Sequence, residues 1–386
     1  MTSRLFEKYE LNNKVVVPGR LAVAPLTLFS SNPDGTINEG ERNYLKVRGT
    51  GIGLYILGAT AVSQEGIAFT CQPRALSEKD IPSLEERAKI IKEQGALAIN
   101  QIHHGGMLAL KEYSGLDPAA PSAEIANESL KARNLFKTPC REFTSDEIKK
   151  LVQDFAYATE LSIKSGYDGV EIHGANNYLI QQFYSGATNK RTDEWGGSVE
   201  KRMNFPLQVV DACCKIRDKL NRPDFIIGYR LSPEEPFEDG ITMTETLKLV
   251  KALVTKPIQY IHISQWNFFK KARRGEGAGE ERLKIIHNET KGKVALVGCG
   301  GLLSEEDLNR AVDTGFSEFY AVGGASMINR DFGIKLKENR GKELELAIDP
   351  EHPEKYVMPD NLWKMSIQGI SYLPPVKGKN RDRLDI

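Results

Sequence analysis

The sequence has no excess of either charge: Lys and Arg number 52, Asp and Glu number 52, and the formal net charge is zero. With no global positive field, nothing in the composition draws the chain to nucleic acid or to an anionic membrane surface. No apolar run approaches the ~18 residues that a membrane span requires. The opening stretch, MTSRLFEKYELNNK, lacks the apolar core of a secretion signal. Cysteine is scarce, five in 386 residues, at 71, 140, 213, 214 and 299. An odd number with no C-x-x-C pair and no four-cysteine cluster gives no zinc or iron–sulfur framework and points to a reducing compartment, the cytoplasm. The adjacent Cys213 and Cys214 read as small buried residues of one helix. What remains is 40% hydrophobic and 27% charged, an ordinary globular composition that excludes a mostly disordered chain.

Short β-rich runs recur along the chain, each followed by a polar or glycine-containing turn and a helical stretch. They fall at 20–25, 53–59, 96–102, 168–173, 225–231, 258–264, 293–298 and 317–323. All are near-continuously apolar, as expected of strands covered on both faces. The helix candidates between them carry caps. Thr144 or Ser145 precedes an apolar 3.6-residue period that Gly166 closes, and Ser304 forms a capping box with Asp307. Eight strand–helix units without a composition break predict one closed (β/α)8 TIM barrel, within residues 1–348, with an N-terminal cap. A doubly wound open sheet is the competing reading. It usually begins with a glycine-rich turn after the first strand, and here that turn reads APLTLFSS. Two segments break the rhythm. Residues 103–143 form a long, lid-like connection after the third strand, and 349–386 form a Pro-rich, charged extension containing Trp363 and Tyr372. The extension reads as a tail wrapped on the barrel or an arm packed on another subunit of a homo-oligomer.

Barrel chemistry sits at the carboxyl ends of the strands. There the sequence delivers Pro25 and Thr27, Ala59 and Thr60, Gln101 with His103 and His104, then His173, Asn176 and Tyr178, then Arg230, Ser264 and Trp266. The last two strands deliver Gly298, Gly300 and Gly301, and Gly323 and Gly324. Glycines in the loops after strands seven and eight let backbone N–H groups approach an anion, so a phosphate-bearing ligand is expected. Gln101, Arg230 and Thr27 suit a flat, hydrogen-bonding ligand with an anionic end. His173 and Asn176 stand three apart and converge on one point if the chain turns helically after the strand. Such a pair suits a carbonyl or nitro oxygen that gains negative charge. Tyr178 carries a phenol, with a reference pKa of ~10, able to donate a proton at neutral pH. His262, inside IQYIHIS, reads as a hydrogen-bonded core residue, while His104 is open between core and site. Arg230 is alternatively a structural ion-pair partner. The three histidines 103, 104 and 173 raise a metal-dependent hydrolase, but no strand-end carboxylate or H-E-x-x-H motif accompanies them.

The block GYDGVEIHGANNYLIQQFYSGATNKRTDEWGGSVEKR, residues 166–202, resembles the Old Yellow Enzyme family of FMN-dependent ene-reductases. GRLAVAPLT, LGATAV, INQIHHGG, APSAEI, GYRLSPEE and VGCGGLL follow in that family's order, so the resemblance spans roughly residues 5–340. It implies an enzyme that uses NADH or NADPH and FMN to reduce an activated C=C bond of a small molecule. It also implies that Pro25, Thr27, Ala59, Gln101 and Arg230 contact the isoalloxazine or ribityl part of FMN. Gly300, Gly301, Gly323 and Gly324 would hold the phosphate, His173 and Asn176 the substrate oxygen, and Tyr178 the donated proton. Arg191, Asp193 and Arg202 would tie the long loop to the rim. The chain departs from the family at Gly324, where Arg is usual, and at Thr27 and Phe29, where one subgroup carries Cys and Tyr. Two other readings stay open: a flavin barrel acting on another small molecule, and a barrel that binds FMN without turnover.

Overall fold

The computed structural model describes residues 2–123, 140–370 and 373–379. Eight parallel strands close into one barrel: β1 (Leu21–Val23), β2 (Leu54–Ala61), β3 (Leu97–His103), β4 (Gly169–Gly174), β5 (Ile226–Leu231), β6 (Tyr260–Ile263), β7 (Ala295–Cys299) and β8 (Phe319–Val322). Each pairs with its sequence neighbours, and β8 returns to β1. The helices that follow them are α1 (Glu39–Leu45), α2 (Ile81–Lys92), α3 (Ser145–Lys164), α4 (Asn204–Lys219), α5 (Met243–Leu253), α6 (Arg282–Thr290), α7 (Glu305–Thr314) and α8 (Phe332–Lys337). The eight expected strands all appear, each starting one or two residues later than expected, and four of them (β2, β3, β4 and β7) running one or two residues further at the carboxyl end.

Local sequence explains the punctuation. Thr144 is the cap of α3: its hydroxyl accepts from the Glu147 N–H while Glu147 accepts from the Thr144 N–H. Gly166 follows that helix at φ +74°, the left-handed conformation that glycine adopts without cost. Ser304 and Asp307 cap α7 by the same reciprocal arrangement. Cys213 and Cys214 are buried on α4, as their adjacency suggested.

The barrel's amino end is plugged. A hairpin of Tyr9–Glu10 and Val16–Val17 inserts Leu11 and Val17 against Ala22, Leu54, Ile226 and Ala295. Asn12 fastens it by donating to the carbonyls of Ile258 and Lys293. Of the long loop, the described flanks pair Ala119–Ala120 with Arg141–Glu142; residues 124–139 lie outside the described residues. The described tail lies on its own barrel. Tyr356 is buried, stacks on Trp363 at 5.6 Å and packs with Ile328, Ile348 and Val376; Tyr372 lies outside the described residues. No described helix is long and apolar enough to cross a membrane.

Candidate active site

Alternate residues of a barrel strand point inward, so each strand that reaches the carboxyl end adds one side chain to a floor there. Gln101, Glu171, Arg230, His262 and Cys299 make that floor, all less than a tenth exposed. Glu171 is its centre. One carboxylate oxygen accepts from Gln101 Nε2 at 2.7 Å, and the other accepts from the Tyr260 hydroxyl at 3.1 Å and faces His262 Nδ1 at 2.8 Å. Burial alone would raise the Glu171 pKa, but His262, Arg230 and the hydrogen bonds outweigh it and hold the carboxyl below its ordinary value. Burial opposes charge on His262 too, yet Glu171 raises it. Burial likewise pushes the Cys299 thiol up, while His262 and Arg230 bring it down to about 7. Arg230 stands in register between His173 and His262, and its Nε is buried without a partner.

Beside this floor stands an aromatic wall. The rings of His103 and Tyr178 lie 4.4 Å apart at 80°, and His173 lies 5.1 Å from Tyr178 and 5.3 Å from His103. Phe69 touches both His103 and Tyr178, and Phe29 touches Phe69. Hydrogen bonds fix two tautomers here. His173 Nδ1 accepts from the Ala175 N–H at 3.3 Å, leaving its proton on Nε2. Gln72 Oε1 accepts from the N–H groups of Ala68 and Phe69, so its amide nitrogen donates, to the Ala59 carbonyl and to His103 Nδ1. His103 therefore also carries its proton on Nε2. Burial, reinforced by neighbouring His103 and Arg230, keeps His173 well below the ordinary histidine pKa, and burial brings His103 to about 3. Both rings are neutral donors at physiological pH.

Asn176 sits differently from its partner. The chain after β4 does not take the helical turn that the three-residue spacing of His173 and Asn176 suggested. Asn176 and Asn177 are both left-handed, at φ +58° and +62°, and the helix begins only at Leu179. Asparagine tolerates that conformation better than other non-glycine residues. The turn leaves Asn176 exposed at the rim, its N–H on Ser232 Oγ and its Oδ1 accepting from Ser264 Oγ at 2.7 Å. Its side-chain amide nitrogen is the group it can offer to a ligand.

The remaining expected residues follow the strands at their carboxyl ends or lie in the loops beyond them. Pro25 and Thr27 are half-buried past β1. At Gly58 a Cβ would lie 2.7 Å from Gln101 Oε1 and 3.0 Å from Pro25, so a side chain there would close the slot between them. Gly300 and Gly301 have φ of +124° and +67°, and Gly324 opens the short helix Gly324–Ile328. The two glycine loops meet where Gly324 faces Leu303, with Pro374 of the tail alongside. His104 points away, its Nδ1 accepting from the Gly106 N–H and its ring near Phe143. Arg191 binds the carbonyls of Pro121 and Phe143 together with Asp193 and Glu142, and so clasps both flanks of the long loop. Arg202 reaches the carbonyls of Tyr184 and Gly197 and the Glu245 carboxylate.

Glu171, Gln72, Phe69 and Ser232 are site residues that sequence reasoning did not select. A signal existed for Glu171: it stands two before His173 in GVEIH, so both share the inward face. The donor set fits FMN. A flavin's pyrimidine edge alternates carbonyl acceptors with one N–H. Arg230 supplies an unpartnered donor, and Gln101, its nitrogen engaged by Glu171, supplies an acceptor. The phosphate expectation rests on the glycine-rich loops themselves: Gly300 and Gly301 take positive φ, and at Gly300 a Cβ would meet the Gln265 carbonyl and the Asn267 nitrogen at 2.7 Å.

The family model for the NADH:flavin oxidoreductase / NADH oxidase family matches residues 4–343. The chain is 40% identical over 371 residues to a Bacillus subtilis (strain 168) protein described as "Probable NADH-dependent flavin oxidoreductase YqiG", covering 96% of this chain and 97% of that one. It is 34% identical over 373 residues to the NADH:fumarate oxidoreductase of Klebsiella pneumoniae (strain 342), covering 95% of this chain but only 39% of that longer protein. An Old Yellow Enzyme homologue from Zymomonas mobilis shares the fold at TM-score 0.75 and 24% identity, over 92% of this chain and 99% of that one. This chain belongs to the NADH:flavin oxidoreductase / NADH oxidase family and is an FMN-dependent oxidoreductase that draws on NADH or NADPH.

Proposed function

We propose that the protein reduces the activated C=C bond of α,β-unsaturated carbonyl compounds, or of related nitro compounds. In this reading residues 1–348 make one FMN-binding barrel and 349–386 an extension of it. The observation that carries the reading is the His173–Tyr178 pair, ring against ring at 5.1 Å, on the wall above a polar floor. FMN bound over Gln101 and Arg230, with its phosphate at Gly300, Gly301, Gly323 and Gly324 and its ring beside Pro25, Thr27 and Ala59, supplies the two-electron chemistry.

The chain's own residues do the rest. Neutral His173 donates from Nε2 to the substrate oxygen, and the Asn176 side-chain amide nitrogen, turned outward by Ser264, adds a second donor from the rim. Both strengthen as negative charge develops on that oxygen. Tyr178 holds the proton delivered to the carbon next to the carbonyl. Phe29 and Phe69 keep water from the reacting carbons. The relative named for fumarate, whose double bond is conjugated to carboxyl groups, supports a substrate of this electronic type.

The purified protein is expected to be yellow and to release FMN on denaturation. His173→Ala should lower cyclohexenone reduction ~10²–10³-fold, the usual cost of one lost oxyanion donor, with FMN still bound. Unchanged turnover in that variant rejects the assignment.

A further inference from the structure

Gln101 can present either end of its amide to a ligand, because the oxygen and nitrogen ends are nearly the same size. Here the choice is made from below. Glu171 takes the amide nitrogen at 2.7 Å, so the oxygen faces the slot beside Gly58. Glu171 itself cannot move: it is fully buried, and Tyr260 and His262 hold its other oxygen. The Tyr260 ring lies across β5 at Gly228, where a Cβ would come within 2.1 Å of it. Three neighbouring strands and β6 thus converge on one carboxylate beneath the site. The charges around it are Arg230 and His262, with the Cys299 thiol beyond His262.

We propose that Glu171 is a positioning residue for the flavin, fixing the polarity of the Gln101 amide and offsetting the positive charge of Arg230 under the ring. This rests on the FMN site described above. A carboxylate below the floor makes Gln101 an acceptor for the flavin's single N–H, while Arg230 donates to a neighbouring carbonyl. Without it the amide turns freely, and one of its two orientations sets donor against donor. Its negative charge also opposes the charge that the cofactor gains on reduction, and so holds the reduction potential down.

The test uses FMN-loaded and FMN-stripped protein, with FMN affinity read by fluorescence titration and the midpoint potential by dye equilibration. Glu171→Gln removes the charge. It should raise the FMN Kd at least tenfold and move the potential upward by about 30 mV, a tenfold change in the oxidised-to-reduced ratio for a two-electron couple. Glu171→Asp keeps the charge on a shorter arm, so Kd should rise while the potential stays. Combined with Gln101→Leu, Glu171→Asp should add little to the loss that Gln101→Leu causes alone, because both act through one amide. Additive losses, or a folded Glu171→Gln variant with unchanged Kd and potential, overturn the proposal. If Glu171→Gln does not fold, the Asp and Leu cycle decides it. Wild-type protein that holds no FMN would instead overturn the functional reading on which this rests.

Discussion

Ile99 and Gln101 stand two residues apart on β3 and face the same barrel interior, yet they belong to different layers. Ile99 packs with Leu54, Ile226, Tyr260 and Val297 in an apolar layer above the N-terminal plug. Gln101 belongs to the polar floor with Glu171, Arg230 and His262. On β5 the step is from Ile226 through Gly228 to Arg230, and on β7 from Val297 to Cys299. The lower layer is sealed by the hairpin and held by burial, at roughly 25 cal/mol per Å² of apolar surface. The upper layer gathers its buried charge around Glu171, which Gln101, Tyr260 and His262 hold, while Arg230 Nε and His262 Nε2 are buried without a partner. One strand therefore provides stability at its start and chemistry at its end.

The largest effect that would break this division lies on the wall above the floor. Tyr178→Phe should slow enone reduction by ~10²–10⁴, the range for a lost general acid, while bleaching of the flavin by NADH or NADPH proceeds as in the wild type. Stopped-flow traces of the two half-reactions separate these, and equal slowing of both would make Tyr178 a binding residue. In the lower layer, Ile99→Ala should cost ~2–5 kcal/mol of stability in urea unfolding, with the FMN Kd of the folded protein unchanged. Lost FMN affinity without lost stability would show that the layers are not separate. The smallest effect comes from the outward neighbour of His103. Burial holds His104 at about 3, against ~6.5 for an unfolded chain. Below pH ~6.5 the unfolded chain takes a proton that the folded ring refuses, so stability is full above that pH and falls as pH drops toward 3. His104→Gln should flatten the fall between pH 6 and 4 by up to ~1.4 kcal/mol per unit, measured by unfolding at stepped pH. An unchanged slope would place the His104 ring in contact with solvent protons.

The barrel was legible because its signals are local. Eight apolar runs, the Thr144 and Ser304 caps and Gly166 each act within a few residues. Strand ends could be read as a list of side chains without knowing where they point, so Gln101, His173, Tyr178 and Arg230 could be named as candidates, and His173 lies in register with Arg230 and against the Tyr178 ring. What escaped depends on contacts far apart in sequence. Glu171 hides in an apolar strand because its three partners come from β3 and β6, about 70 and 90 positions away. Gln72 matters only because its carbonyl oxygen is already held by Ala68 and Phe69. The local path at Asn176 was not legible for a different reason: a three-residue spacing suggests a helical turn, whereas two consecutive asparagines favour left-handed backbone.

The fit of the Tyr260 ring over Gly228 has a consequence for how such sequences can diverge. Any relative that gains a side chain at the position of Gly228 must shrink residue 260, and the carboxylate on β4 then loses a donor. The two positions are therefore expected to change together or not at all, with position 171 drifting toward an uncharged residue wherever they do. A set of aligned relatives would display the buried floor as linked columns, inherited as one unit while the apolar layer beneath it exchanges Ile, Leu and Val freely.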